Sequence, residues 1–258
     1  MIRPALLLPL LTLTLSSHAC PKLPDPVVSL LDSQHHDTLL LGEWHGTNEA
    51  PQAAFATICH QAKKLNVPLI VGLELNAEDL DFGGDLDQLT ARIQASTDWQ
   101  TVFDGRSSRA LYHLLERLHP LVKSGEIQVV GFNHNHDPRD LRMAENLRPY
   151  LGQPMLVFGG SRHTKTVHGN SWDPQSNNMG AFLKDWGADT LSLWLYNSNG
   201  TAWYSDDEGN RTVHPITRRG ETPAGTIEPA PQESGYQHIW HLGPVTASLP
   251  LLKPAEGY

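Results

Sequence analysis

Two tetrapeptides, Gly42-Glu43-Trp44-His45 and Gly160-Ser161-Arg162-His163, share the pattern Gly-x-x-His and stand more than a hundred residues apart. Imidazole is both a ligand for divalent transition metals and a proton carrier near neutral pH. Carboxylates accompany the pair: Glu43 and Glu49 around the first phrase, and Glu74 in Val71-Gly72-Leu73-Glu74. Two imidazoles with carboxylates suit Zn, Mn or Co, with an open position for water. Metal-bound water is acidified towards neutrality, so a neighbouring glutamate can act as general base in hydrolysis. On this reading His45, Glu74 and His163 are metal ligands and Glu43 activates the water, the two glutamates being exchangeable in these roles. Arg162 suits a developing oxyanion, or a carboxylate or phosphate of the substrate, because its charge is fixed and its donors are forked. His134, in Asn133-His134-Asn135-His136-Asp137, is a further catalytic candidate.

Simpler roles exist for the same residues. Glu43 could cap a following helix, Glu74 could form a structural ion pair with Arg162, and His134 and His136 could line only their loop. Asp137 is explained fully as a helix N-cap. His35, His36, His60, His113 and His119 fall in helical or loop surroundings and read as surface residues.

What must position these groups is a set of buried strands. Near-continuous apolar runs at Thr38–Leu41, Leu69–Leu73, Ile127–Gly131, Met155–Phe158 and Thr190–Tyr196 have the character of parallel strands covered on both faces. Gln237 to Leu242 forms a last one. Amphipathic stretches lie between them. Phe55, Ile58, Ala62 and Leu65 keep helical spacing, as do Leu111, Leu114, Leu115, Leu118 and Val122. Asp137-Pro138 opens another helix through Leu141, Ala144 and Leu147, and Met179, Phe182, Leu183 and Trp186 form one stopped by Gly187. The alternation predicts an α/β fold, a mostly parallel central sheet flanked by helices on both faces. The C-terminal strand ends then share one edge, where such sheets build their sites. Residues 205–236, rich in Pro, Gly, Asp, Glu and Thr, read as a polar surface excursion or lid.

The first nineteen residues read as a secretory signal peptide: Arg3, a Leu-rich apolar run from Ala5 to Leu15, and the small residues Ser17 and Ala19 before the cleavage point. Residues 20–258 then make one α/β domain that is exported to the periplasm or cell envelope. Cys20, directly after the cleavage point, is open to lipidation, to a disulfide with Cys59, or to neither; a lipid there is the one membrane link expected. The net charge of −9, with no basic cluster, argues against a nucleic-acid partner.

At these residues a family resemblance emerges. Leu39-Leu40-Leu41-Gly42-Glu43-Trp44-His45-Gly46-Thr47-Asn48-Glu49 resembles the opening motif of the erythromycin-esterase, ChaN-like and Tiki/TraB superfamily. Gly160-Ser161-Arg162-His163 is similar to its later Gly-x-x-His, Leu73-Glu74 to the glutamate after its second strand, and Leu242-Gly243-Pro244-Val245-Thr246 to the closing strand of esterase-like members. The resemblance implies an α/β fold and roles for Glu43, His45, Glu74 and His163. Arg162 and His134 rest on their positions past strand ends. Members include metal-dependent proteases, macrolactone esterases and haem binders. Two expectations follow: an exported metal-assisted hydrolase of an ester or peptide bond, acting on a small molecule or peptide; or a noncatalytic haem- or metal-binding protein, with His163, His168 or Tyr204 as axial ligand of the haem.

Overall fold

The computed structural model describes residues 20–170, 173–206, 208–217 and 222–252. The expected signal peptide, residues 1–19, lies outside the described residues. The strands are β1 (Thr38–Glu43), β2 (Leu69–Leu73), β3 (Ile127–Gly131), β4 (Met155–Gly160), β5 (Thr190–Ser205), β6 (Arg211–Thr217), β7 (Ile227–Pro229) and β8 (His238–Val245). They form one sheet in the order β3-β2-β4-β1-β5-β8-β7, with β6 on the outer part of β5. All pairings from β3 to β8 are parallel; β7 on β8 and β6 on β5 are antiparallel.

The leucine-rich runs are continuous because both faces of the sheet are covered. Strand side chains alternate between faces. Leu39, Leu41, Val71, Leu73, Leu156 and Phe158 therefore pack against α1 (Asp25–Ser33), α2 (Glu49–Ala62), the successive helices α3 (Leu86–Ala95) and α4 (Thr97–Thr101), and α5 (Arg109–Lys123). Leu40, Ile70, Met155 and Val157 face α6 (Arg139–Leu147) and α7 (Met179–Asp185). Helix α5 shows how local sequence feeds this packing. The Ser108 hydroxyl accepts from the Leu111 amide at its start, and Leu111, Leu114, Leu115, Leu118 and Leu121 form its buried stripe. Each such leucine contributes about 2 kcal/mol by leaving water.

Two elements differ from expectation. Helix α6 begins at Arg139, with Pro138 rather than Asp137 at its cap and no side-chain cap bond. The carboxylate of the first turn that matters is Asp140, which turns inward. Residues 205–236 are not wholly an irregular lid, for they contain β6 and β7. Strand β6 escapes pattern reading because only Ile216 is buried and Pro215 interrupts it, which an edge strand tolerates.

Cys20 and Cys59 are disulfide-bonded, which ties the segment before α1 to α2. Closing a loop with a sequence separation of 39 stabilises the fold by about 2–4 kcal/mol. Cys59→Ser is therefore expected to lower Tm by about 5–15 °C, as is reduction of the native protein, in scanning calorimetry. Among the described residues no helix is long and apolar enough to cross a membrane.

Candidate active site

Strand order accounts for the meeting of the two Gly-x-x-His phrases. Strands β1 and β4 are neighbours, with Glu43 opposite Gly160, and the other neighbour of β4 is β2, which ends next to Glu74. Three adjacent strand ends thus deliver both phrases and Glu74 to one edge. The cleft they floor has a volume of about 340 Å³ and is lined by Glu43, His45, Glu74, Arg162 and His163, with Trp44 and Tyr204 in its wall.

Glu74 is the hub. Its Oε2 accepts the Gly160 amide at 2.7 Å, and its Oε1 accepts from Arg139 Nη2 at 3.0 Å. Arg106 Nη1 stands 3.6 Å from Oε1, His163 Nε2 3.6 Å from the same oxygen, and His45 Nε2 3.4 Å from Oε2. Burial alone would raise the Glu74 pKa. The charges of His163, His45 and Arg106 outweigh it and hold the carboxyl well below its usual range. Asn133 braces the cations, accepting from Arg106 at 3.1 Å and from Arg139 at 2.9 Å.

Each imidazole is also gripped from behind. His45 Nδ1 meets Glu43 Oε1 at 2.8 Å, and His163 Nδ1 meets Asp140 Oδ1 at 2.8 Å. Asp140 Oδ1 accepts the Met179 amide as well, so the start of α7 is tied to the site. Burial pulls the His45 pKa down, but the Glu74 charge and the Glu43 hydrogen bond prevail and raise it to about 10. His45 is thus an imidazolium at neutral pH. Glu43 is only 6% exposed, and its Oε2 is buried with no hydrogen-bond partner among the described residues. Leaving a buried carboxylate oxygen bare costs free energy, so this atom marks a place for a polar reactant.

Both motif glycines are there for close approach. A Cβ on Gly160 would sit 2.9 Å from His45 Nε2 and 3.2 Å from Glu74 Oε2. A Cβ on Gly42 would sit 2.1 Å from Tyr236 Oη, the hydroxyl that donates to the Ser161 carbonyl and holds the second phrase in place. Gly160→Ala is expected to lower kcat about a hundredfold by displacing the imidazole, while leaving far-UV circular dichroism unchanged.

The structure brings Glu43, His45, Glu74, Arg162 and His163 together but leaves out His134. The His134 ring lies against His136 and lines a separate groove past β3; only its carbonyl reaches the site region, accepting from Arg139 Nε at 2.9 Å. Among the described residues the guanidinium groups found on Glu74 are those of Arg139 and Arg106, not that of Arg162. Glu43 caps no helix, since it ends β1 and α2 starts at Glu49. Arg106, Arg139, Asp140 and Asp104 are site residues that the strand-end reading misses. Arg139 and Asp140 stand three and four residues beyond His136, within reach of a longer window past β3. Arg106 sits in a loop before α5, where no sequence signal marks it.

A divalent metal does not fit these residues. Both ring nitrogens of His45 face carboxylates, Nδ1 towards Glu43 and Nε2 towards Glu74, so neither is aimed at an open position. The Glu74 oxygens already receive N–H donors, and two guanidinium groups stand beside them. Among the described residues no group of three or more His, Cys, Asp or Glu side chains is arranged to hold a metal ion. The expected ligand set of His45, Glu74 and His163 is assembled as a hydrogen-bonded ionic cluster instead. A haem needs an apolar slot and an axial group, and a floor of carboxylates and guanidinium groups does not fit it either. His163 is held by Asp140, His168 by Asp185 at 2.9 Å, and Tyr204 packs between Trp44 and His214.

No protein-family model matches the chain, and no curated protein does. Solved structures do match it. A protein from Bacillus cereus superposes with a TM-score of 0.61 at 10% identity, covering 90% of this chain and 96% of that one. A succinoglycan biosynthesis protein gives 0.62 at 9%, covering 87% and 91%. An erythromycin esterase variant in its open conformation gives 0.55 at 11%, covering 88% and 94%. At these identities the likeness shows the fold alone: an α/β fold shared with a known hydrolase, as the motif resemblance implied.

Proposed function

We propose that the protein is an exported hydrolase of an ester or peptide bond that works by carboxylate–histidine acid–base chemistry. The observation that carries this reading is the Glu43–His45 pair over Glu74: an imidazolium joined to a buried carboxylate whose second oxygen has no partner. Glu43 Oε2 takes a proton from water as the water oxygen attacks the carbonyl carbon. Arg162, in the cleft wall, and His45 offer positive charge to the oxyanion that develops. The tetrahedral intermediate expels the leaving group, which receives a proton from His45. Glu43 then loses its proton to solvent and His45 regains one, so the net change is water added across the bond. His163, oriented by Asp140, is a second proton carrier on the opposite side of Glu74. Export is supported by the Cys20–Cys59 bond, since disulfides persist in oxidising compartments. The same sulfur cannot also carry a lipid thioether, so no lipid anchor is proposed.

Hydrolysis of small chromogenic esters and of peptides, followed against pH with enzyme-free blanks, tests the reading. The basic limb of kcat/KM is expected to fall with an apparent pKa of about 10, where His45 loses its proton. A limb falling near 6.5, the ordinary histidine value, would show that His45 is not held as the cation.

A further inference from the structure

Strand β5 does not stop at the sheet edge. Its outer part, Asn199 to Ser205, pairs with β6 along its whole length, and beyond the Gly200–Val245 pairing with β8 the two strands form an arm beside the cleft. The arm is locked to the catalytic turn: the Trp203 amide donates to the Gly46 carbonyl at 3.0 Å, and Trp203 Nε1 to the Phe103 carbonyl at 3.1 Å. Tyr204, the next residue, is thereby held in the wall of the cleft that His45 also lines. Its ring meets Trp44 edge to face, with centroids 5.5 Å apart at 78°, and stacks on His214 at 4.3 Å. Trp44 stays 37% exposed in the cleft wall, although it lies between the two residues of the catalytic pair.

An aromatic corner of this kind over an ionic floor selects among substrates. An aliphatic chain would call for aliphatic walls. A strongly anionic substrate would meet Glu43, Glu74 and Asp104 in the same cleft, where Arg139 already holds Glu74 and Arg106 holds Asp104 at 2.9 Å. A pyranose ring has one face of polarised C–H groups and a rim of hydroxyls. The C–H face matches the negative face of an aromatic ring. The hydroxyls match Asp104, Ser205 and Arg162, which line the same cleft. We infer that the cleft takes a sugar ring against Trp44 and Tyr204, and that the bond cleaved is an acyl ester on a sugar hydroxyl. The second half of this inference rests on the hydrolase reading above. The reaction adds water, breaks the acyl C–O bond, and leaves a free sugar hydroxyl and a carboxylic acid.

The test has two independent arms. In the first, kcat/KM is measured on methyl 6-O-acetyl glycosides of glucose, galactose and mannose, on ethyl acetate and on phenyl acetate. At least one sugar ester is expected to be preferred over ethyl acetate. Trp44→Ala is expected to cut that preference by about tenfold, with Trp44→Phe restoring most of it. No preference for any sugar ester, or a loss confined to phenyl acetate, overturns the inference. In the second arm, the deacetylated glycosides are titrated into the protein and the Trp44 indole N–H resonance, assigned from the Trp44→Phe spectrum, is followed. A saturable shift with one glycoside supports sugar binding even if no ester is hydrolysed, in which case only the hydrolase reading fails. No shift with any glycoside overturns the inference even if simple esters are cleaved.

Discussion

His45→Ala is expected to lower kcat about a hundred- to ten-thousandfold, the range seen when a positioned proton donor is removed. The substitution deletes the group between Glu43 and Glu74, at 2.8 Å and 3.4 Å, and leaves two buried carboxylates facing each other without it. Imidazole added to the medium is expected to restore part of the rate, because the vacated space lies in the cleft. A purely structural histidine would give no such rescue. The pH dependence of stability provides a second readout. The folded pKa of His45, about 10, exceeds the ordinary 6.5. Its contribution is therefore fully present below about pH 6.5 and is lost as pH rises through about 10. That basic loss of stability is expected to be much reduced in His45→Ala when both proteins are followed by urea unfolding.

Glu74→Gln acts on the whole cluster. It keeps the shape of the side chain but removes the charge on which Arg139, Arg106, His45 and His163 converge. Removing one partner of a buried ionic group costs about 3–5 kcal/mol, or roughly 6–20 °C in Tm for a chain of this size. The Glu74 charge is also the largest influence holding the His45 proton. The basic limb of kcat/KM is therefore expected to move to lower pH in Glu74→Gln. The sign on the acid side is opposite. Glu74 is depressed in the folded state, so its contribution is present above the ordinary carboxylate range and is lost as pH falls through its folded value. Acid unfolding of the native protein is expected to show this loss, and Glu74→Gln to lack it.

The positions of Glu43, His45, Glu74 and His163 were legible in the sequence because buried parallel strands announce themselves as unbroken apolar runs. The residues just past such runs share an edge whatever the strand order. What could not be read was the order itself. That β1 lies between β4 and β5, and β4 between β1 and β2, decides which strand ends touch. It puts Glu74 against Gly160 and leaves His134, at the end of the outer strand β3, outside the cleft. Arg106 is invisible for a related reason: it reaches Glu74 from a loop, and loops carry no periodicity. What composition does not show about the metal expectation is how the side chains partner one another. His, Glu and His are the ligand types a metal would take. Only the distances show that Glu43 and Glu74 bracket one imidazole from both sides and keep it charged. The β5–β6 arm was hidden because a mostly exposed strand with an internal proline has the composition of a loop.

In the proposed reaction the Glu43–His45 pair, and not a metal ion, performs the proton transfers. Ester hydrolysis by mature protein stripped of metal with a strong chelator, its residual metal content determined by elemental analysis, tests this most directly. The metal-free protein is expected to keep its full rate, and His45→Ala to lose it under the same conditions. A rate that vanishes on stripping and returns with stoichiometric Zn, Mn or Co would contradict this.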